Sequence, residues 1–413
     1  MEHRIERLGH MGDGIAPTAD RGPVFAPRTL PGEVVSGEII GDRIAAPKIV
    51  TPSSDRVTPP CPHYKSCGGC SLQHASDGFV AAWKVDVVRR ALTAQGIDAQ
   101  IHSPETSPPN SRRRATLSAR RTKRGATVGF HGRASGTITE IPHCLLVDPA
   151  IVSALPVLEI LTVEGASRKG EIAFAVTVSG SGLDVSATGG KPLDGPLRVT
   201  LAGIVAQTGL ARLTWDGETV AMAEPPEQRF GAARVVPPPG AFLQATDHGQ
   251  AALTHAVLTA VGGAKRVADL FAGCGTFSLP LAAKAEVHAV EGESDMMAAL
   301  DRGWRGAAGL KRVTCETRDL FRRPLLPDEL NRFDAVVIDP PRAGAEAQVA
   351  EIVQSRVATV VMVSCNPVTF ARDASALIAG GFTLADVTTV DQFRWSPHVE
   401  LAARFDRRHI ATA

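Results

Sequence analysis

Tyrosine is almost missing from this chain of 413 residues: there is one, and aromatic residues make up only 5%. An extended stacking platform for single-stranded nucleic acid is therefore weakly supported. Charge of one sign is also lacking. The 44 basic and 43 acidic residues leave a net charge of +1, so the molecule as a whole is not a polycation. No stretch approaches the roughly 20 uninterrupted apolar residues of a membrane span. The opening run Met1-Glu-His-Arg-Ile-Glu-Arg7 lacks the apolar core of a signal peptide. These absences point to a cytoplasmic protein with no membrane partner, whose seven cysteines are kept reduced rather than paired in disulfides.

What is present fits an ordinary soluble protein, 44% hydrophobic and 21% charged, and its length suits two or three domains. The basic residues are unevenly placed. Arg112, Arg113, Arg114, Arg120, Arg121, Lys123 and Arg124 crowd one short segment. Such a block can lie along phosphates or form a solvated face.

The chain reads as three parts. Residues 1–55 carry short alternating runs separated by turn signals at Gly12-Asp-Gly14 and Pro31-Gly32, with Val34–Ile40 as a strand. A small β-barrel is the natural solution for such strands. Residues 56–236 form a mainly β central unit bearing a cysteine loop. Its first segment, Phe79–Gln95, has helical spacing that ends near Gly96, and Ile172–Val178 and Leu197–Leu201 read as strands. In residues 237–413, apolar strands alternate with alanine-rich helices: Arg266–Phe271, Val287–Glu291, Val313–Glu316, Ala335–Asp339 and Val360–Ser364 are the strand candidates. This alternation predicts an α/β fold with a doubly wound sheet.

Cys61, Cys67 and Cys70 have C-x5-C-x2-C spacing, and Cys144 lies far downstream. Four thiolates can close a tetrahedral zinc site or hold an iron–sulfur cluster. The spacing does not choose between them, and His63, His74 or His143 can replace one ligand.

Asp269-Leu-Phe-Ala-Gly-Cys-Gly-Thr276 follows a predicted strand and precedes a helical run. Gly273 and Gly275 let the backbone approach a ligand, but the spacing is not the one that cradles a pyrophosphate. Glu291 ends the next strand, where a carboxylate can accept from both ribose hydroxyls. Asp319 ends the unit after that, within reach of an adenine amine. The set resembles S-adenosylmethionine-dependent methyltransferases.

Val363-Ser-Cys-Asn-Pro-Val-Thr-Phe-Ala-Arg-Asp373 resembles the nucleophile motif of the RNA uracil-C5 methyltransferases. Phe242-Leu-Gln244, Asp269–Thr276, Asp339-Pro-Pro-Arg342 and His398-Val-Glu400 match that family's other motifs in order. The cysteine pattern resembles the [4Fe-4S] subgroup acting on 23S ribosomal RNA, and the N-terminal unit resembles its TRAM domain. The resemblance implies Cys365 as nucleophile and Glu400 as general base. It places Gln244, Phe271, Thr276, Glu291, Asp319 and Asp339 around S-adenosylmethionine, and Cys61, Cys67, Cys70 and Cys144 on the cluster. The implied activity is methylation of a uridine at C5 by a monomer, with RNA as partner. Alternatives are a transfer-RNA uracil-C5 enzyme and a non-catalytic RNA-binding or assembly factor. A cytosine-C5 enzyme is disfavoured because no Pro-Cys-Ser-Gly-like run is present. Thr246, Thr276 and Asp319 stand where relatives of this family often have Asn.

Overall fold

A computed structural model describes residues 2–18 and 22–408. The first segment forms two small sheets. Glu2–Arg4, Val34–Ser36 and Lys48–Thr51 make one, and five strands between Arg7 and Ile44 make the other. They enclose Ile5, Ala16, Val24, Ala26, Val35 and Ile44. The expected single strand 34–40 is broken in two. Gly37 sits at the break, where a Cβ would stand 2.5 Å from Ile44 Cγ2, so the chain changes sheet at a residue without a side chain.

The seven-stranded central sheet has the order 138–140, 126–131, 114–121, 171–179, 182–188, 210–215, 218–222. The pair Gly182–Thr188 and Leu210–Trp215 is parallel, joined by a crossover helix, Gly195–Thr208. That helix corrects the strand expected at 197–201. The Asp194 side chain caps its N-terminus by accepting from Leu197 N, Pro196 sits in the first turn, and Gly209 ends it at φ 70°. These start and stop signals outweigh the strand-like run Leu-Arg-Val-Thr-Leu.

The C-terminal sheet runs in the order 105–106, 382–391, 400–407, 359–364, 335–338, 266–270, 286–291, 313–317. From Thr359–Ser364 to Val313–Thr317 all neighbours are parallel. All five predicted strands are present, each within a residue or two of its expected limits. Arg266–Leu270 pairs with a strand on either side, 286–291 and 335–338. This makes a topological switch point, where a crevice opens at the carboxyl ends. The hairpin Phe382–Asp391/Glu400–Arg407 is antiparallel, and its second strand lies against Thr359–Ser364.

Helix Asp77–Thr93 begins at Ser76, whose Oγ accepts from Phe79 N at 3.2 Å. Although the cysteine loop precedes it, it buries Val88 and Leu92 in the core of the C-terminal sheet. Lys84 on this helix is fully buried and pairs with Asp391 at 2.5 Å. No described helix is long and apolar enough to cross a membrane.

The Lys84–Asp391 pair yields a test. Lys84→Met leaves a buried carboxylate unpaired and should cost about 3–5 kcal/mol. Adding Asp391→Leu should recover much of that loss in urea unfolding. Equal destabilisation by the single and double variants would refute the pairing argument.

Candidate active site at the carboxyl edge

Cys365 follows the last residue of strand Thr359–Ser364, and Glu400 opens strand Glu400–Arg407. Ser364 is paired with Leu401, so Cys365 and Glu400 are the next positions along the two neighbouring strands. Asn366 turns the chain into helix Pro367–Ala379. Its Oδ1 accepts from Val368 N at 3.2 Å, and its Nδ2 donates to Arg342 O at 2.9 Å. Thr369 Oγ1 donates to the same carbonyl at 3.2 Å. The Ser-Cys-Asn-Pro and Asp-Pro-Pro-Arg runs are thus one local structure. Arg342 Nη2 reaches His398 Nδ1 at 2.9 Å, which ties in the His-Val-Glu run.

Burial pushes the Cys365 thiol up to about 11, reinforced by Glu400 and Asp339 and opposed by Arg342. Glu400 is 3% exposed and is pushed up to about 8, mainly by burial and then by Asp339. The half-buried Asp339 is pushed up to about 7, by the burial of its carboxyl and then by Asp269. The resting site therefore holds a neutral thiol and carboxyl groups with raised proton affinity.

Asp269 is fully buried and accepts from Ser278 Oγ at 2.5 Å through Oδ2, while its Oδ1 has no partner among the described residues. Phe271 adopts φ 61°, and its ring lies 5.4 Å from that of Phe321. Gly275 has φ 95°, and a Cβ there would lie 2.9 Å from Leu300, so both conformation and packing require glycine. Thr276 is half-buried in the same turn. Glu291 accepts from Gly273 N at 3.1 Å and from Gly292 N at 2.7 Å. Asp319 accepts from Phe321 N at 3.0 Å. Glu291 and Asp319 line one open cavity with Gly292, Glu293, Ser294 and Asp295.

Gln244 lies on the other side, 3% exposed. Gln392 Nε2 donates to Gln244 Oε1 at 2.6 Å and to Glu400 Oε1 at 3.1 Å. The sequence reading missed Gln392. It lies eight residues before Glu400 in a loop, and no spacing signal singles it out. Thr246, the departure noted above, caps helix Asp247–Val261 by accepting from Gly249 N.

Cys61, Cys67, Cys70 and Cys144 all line one small apolar cavity of about 10 Å³. Gly69 N donates to Cys67 Sγ at 3.3 Å, and Leu146 N to Cys144 Sγ at 3.4 Å. Among the described residues, no three His, Cys, Asp or Glu side chains are grouped so as to hold a single metal ion. His63 also lines this cavity, its Nε2 accepting from the backbone N of His143, while His74 Nδ1 meets the Tyr64 hydroxyl at 2.8 Å.

The basic segment does not act as one block. Arg113 is 4% exposed and bonds Gln244 O, Gln228 and Gln250, and it pairs with Asp247. Arg112 and Arg114 are half-buried, the latter stacked over Phe242 at 4.5 Å. Only Arg120, Arg121, Lys123 and Arg124 are exposed, at the turn between strands Arg114–Arg121 and Ala126–His131.

The chain is similar to known proteins over nearly its whole length. An RNA methyltransferase of Mesorhizobium japonicum without assigned specificity is 47% identical, covering 98% of this chain and 97% of the relative. A 23S rRNA (uracil(1939)-C(5))-methyltransferase of Shewanella piezotolerans is 31% identical, covering 97% and 94%. The family described as tRNA (Uracil-5-)-methyltransferase matches residues 307–408, the part that carries Cys365 and Glu400. The chain belongs to the RNA uracil-C5 methyltransferase family. The fold agrees. The Pyrococcus abyssi tRNA (uracil-54, C5)-methyltransferase, solved with S-adenosyl-L-homocysteine, superposes with a TM-score of 0.76 at 21% identity, covering 98% of this chain and 99% of that one.

The raised carboxyls of this family member make its stability depend on pH. Asp269, Asp339 and Glu400 move from ordinary values of 3.8, 3.8 and 4.5 to about 7, 7 and 8. The folded state then binds more protons than the unfolded state between about pH 4 and pH 8, so stability falls as pH rises through that window. The melting temperature of the ligand-free protein should drop from pH 5 to pH 8. Glu400→Gln should flatten part of the slope and raise the value at pH 8. A Glu400→Gln curve parallel to wild type would contradict the shift.

Proposed function

We propose that the protein methylates C5 of a uridine in 23S ribosomal RNA, giving 5-methyluridine, through a covalent bond from Cys365 to C6. The observation that carries this reading is the placement of Cys365 and Glu400 opposite each other on adjacent strand ends, at the same carboxyl edge of the sheet as the glycine turn. The 31% identical Shewanella relative, named for a 23S uridine, supports the ribosomal substrate.

C5 of uracil is a weak nucleophile. The Cys365 thiol loses its proton to solvent, the thiolate adds to C6, and the electron pair of the C5–C6 double bond moves into the ring as an enolate with electron density at C5. S-adenosylmethionine supplies an electrophilic sulfonium methyl group. Glu400, as carboxylate, then takes the proton from C5, the electron pair re-forms the C5–C6 double bond, and the Cys365 sulfur leaves. The target base must be out of its stack for this contact. Gln244, Phe271, Thr276, Glu291, Asp319 and Asp339 would surround the cofactor, and Glu291 and Asp319 line one open cavity. Glu291 suits the ribose hydroxyls and Asp319 the adenine. The exposed Arg121, Lys123 and Arg124 suit phosphate contacts.

Residues 1–55, 56–236 and 237–413 are assigned as a TRAM-like barrel, a central unit and a catalytic unit. The four cysteines would hold a [4Fe-4S] cluster. The four thiols lining one apolar cavity have the donor chemistry such a cluster takes, and a four-thiolate zinc site takes the same donors. Methyl transfer needs no electron, so the cluster would organise the loop. Protein purified without oxygen should contain iron and acid-labile sulfide, both lost together in Cys67→Ser. Stoichiometric zinc without sulfide would overturn the cluster.

Incubation with S-adenosylmethionine and unmodified RNAs, followed by nucleoside mass spectrometry, should show 5-methyluridine in large-subunit RNA. Cys365→Ala should abolish it, and Glu400→Gln should accumulate a protein–RNA adduct that survives denaturant. Product only in transfer RNA favours the second reading, which the matching family's description and the Pyrococcus enzyme's substrate support. RNA binding without any product favours an assembly factor.

A further inference from the structure

Gln392 lies outside every motif of the site, yet it touches both polar residues that flank the crevice. It is 2% exposed. Ala245 N donates to its Oε1 at 2.7 Å. A backbone N–H requires an acceptor, so this contact fixes which end of the amide is oxygen. Both hydrogens on Nε2 are then committed, one to Gln244 Oε1 at 2.6 Å and one to Glu400 Oε1 at 3.1 Å. The logic passes to the next residue: the Gln244 oxygen is occupied, so its Nε2 is the end left to donate.

The position of Gln392 is rigid. Its neighbour Asp391 is locked by buried Lys84 and accepts from Phe393 N at 3.1 Å. On the facing helix a Cβ at Gly249 would stand 2.5 Å from Gln392 Cβ, so the absence of a side chain there admits the close approach. Further along the loop, the Trp395 carbonyl accepts from Ser71 N and Leu72 N at 2.8 and 3.0 Å.

We propose that Gln392 is a positioning residue for the reaction, holding the Glu400 carboxylate through one N–H and setting Gln244 with its amide N–H₂ as the donor through the other. The proposal rests on reading Glu400 as the base. A donor on a carboxylate favours its charged form, the form that must take the C5 proton. The other groups facing Glu400 are Asp339, which raises its proton affinity, and Arg342, which lowers it. Cys365 lies across the strand pair, and His398 is engaged by Arg342. Losing the Gln392 donor leaves Asp339 and burial less opposed, so Glu400 ionises at higher pH.

The test uses full-length protein, S-adenosylmethionine and uridine-containing ribosomal RNA. It follows in a single turnover, from pH 6 to pH 10, the release of 5-methyluridine RNA from the denaturant-resistant adduct, the step that needs the Glu400 carboxylate. Gln392→Met removes both ends of the amide. Gln392→Glu keeps the volume and the acceptor for Ala245 N–H but sets a carboxyl against Glu400, so it carries the test where Gln392→Met fails to fold. In each folded variant the rise of rate with pH should move up by about one unit. The denaturant-resistant adduct should also persist longer at pH 7 than in wild type. Variant profiles that superimpose on wild type after scaling, including loss by one factor at every pH, would overturn the proposal alone. A wild type that forms no 5-methyluridine would overturn the functional reading and this proposal with it.

Discussion

The antiparallel pairing of Glu400–Arg407 with Thr359–Ser364 is the constraint on which the site depends. A parallel neighbour would bring its own carboxyl end to this edge. The antiparallel strand instead starts there, so a residue from the end of the chain meets Cys365 one step beyond a sheet hydrogen-bond register. The same reversal buries Glu400 beside Asp339, because the flanking strands carry their side chains into one packed edge. The raised proton affinities of both carboxyls follow from that crowding. The fold thus stores unfavourable electrostatics at one edge of an otherwise apolar sheet, where Val360, Val361, Met362 and Val363 are fully buried. Such conflict between stability and local charge is expected at a functional site.

Several contacts bind the remaining chain to this edge, among them three through buried or backbone groups. Arg113, from the central sheet, reaches the carbonyl of Gln244 and the first turn of helix Asp247–Val261. Lys84, from the helix after the cysteine loop, neutralises Asp391 at the end of the hairpin's first strand. The Trp395 carbonyl receives two backbone N–H groups from the residues following Cys70. The loop 391–399 is therefore shared between the cysteine-lined cavity and the carboxyl edge. Buried polar contacts of this kind fix position more than they add stability.

Much of the architecture was legible. The five parallel strands are apolar runs bounded by acids or turns, and their local pattern survives burial on both faces. The helix at 77–93 and the glycine turn at 269–276 were also readable, because periodicity and backbone conformation are local properties. The strand expected at 197–201 was misread because Leu-Arg-Val-Thr-Leu alternates, whereas Asp194, Pro196 and Gly209 bound it as a helix. The basic run from Arg112 was readable as charge but not as surface. Arg113 turns inward to satisfy groups more than 100 residues away.

By itself the sequence determined the chemistry available: a thiol in an Asn-Pro turn, strand-end acids, and four cysteines with ligand spacing. These depend on residue type and on near neighbours, and the chain carries both. Only the tertiary structure decided which of them meet. Cys365 and Glu400 are 35 positions apart and become adjacent through strand register. The four cysteines converge because strand pairing and the Ile141–Cys144 turn return Cys144 to the loop of Cys61 and Cys70. Gln392 acquires a role solely from three partners that lie near it in space, two of them almost 150 residues away in the chain. A hydrogen bond depends on direction and distance, and neither is written in the order of residues.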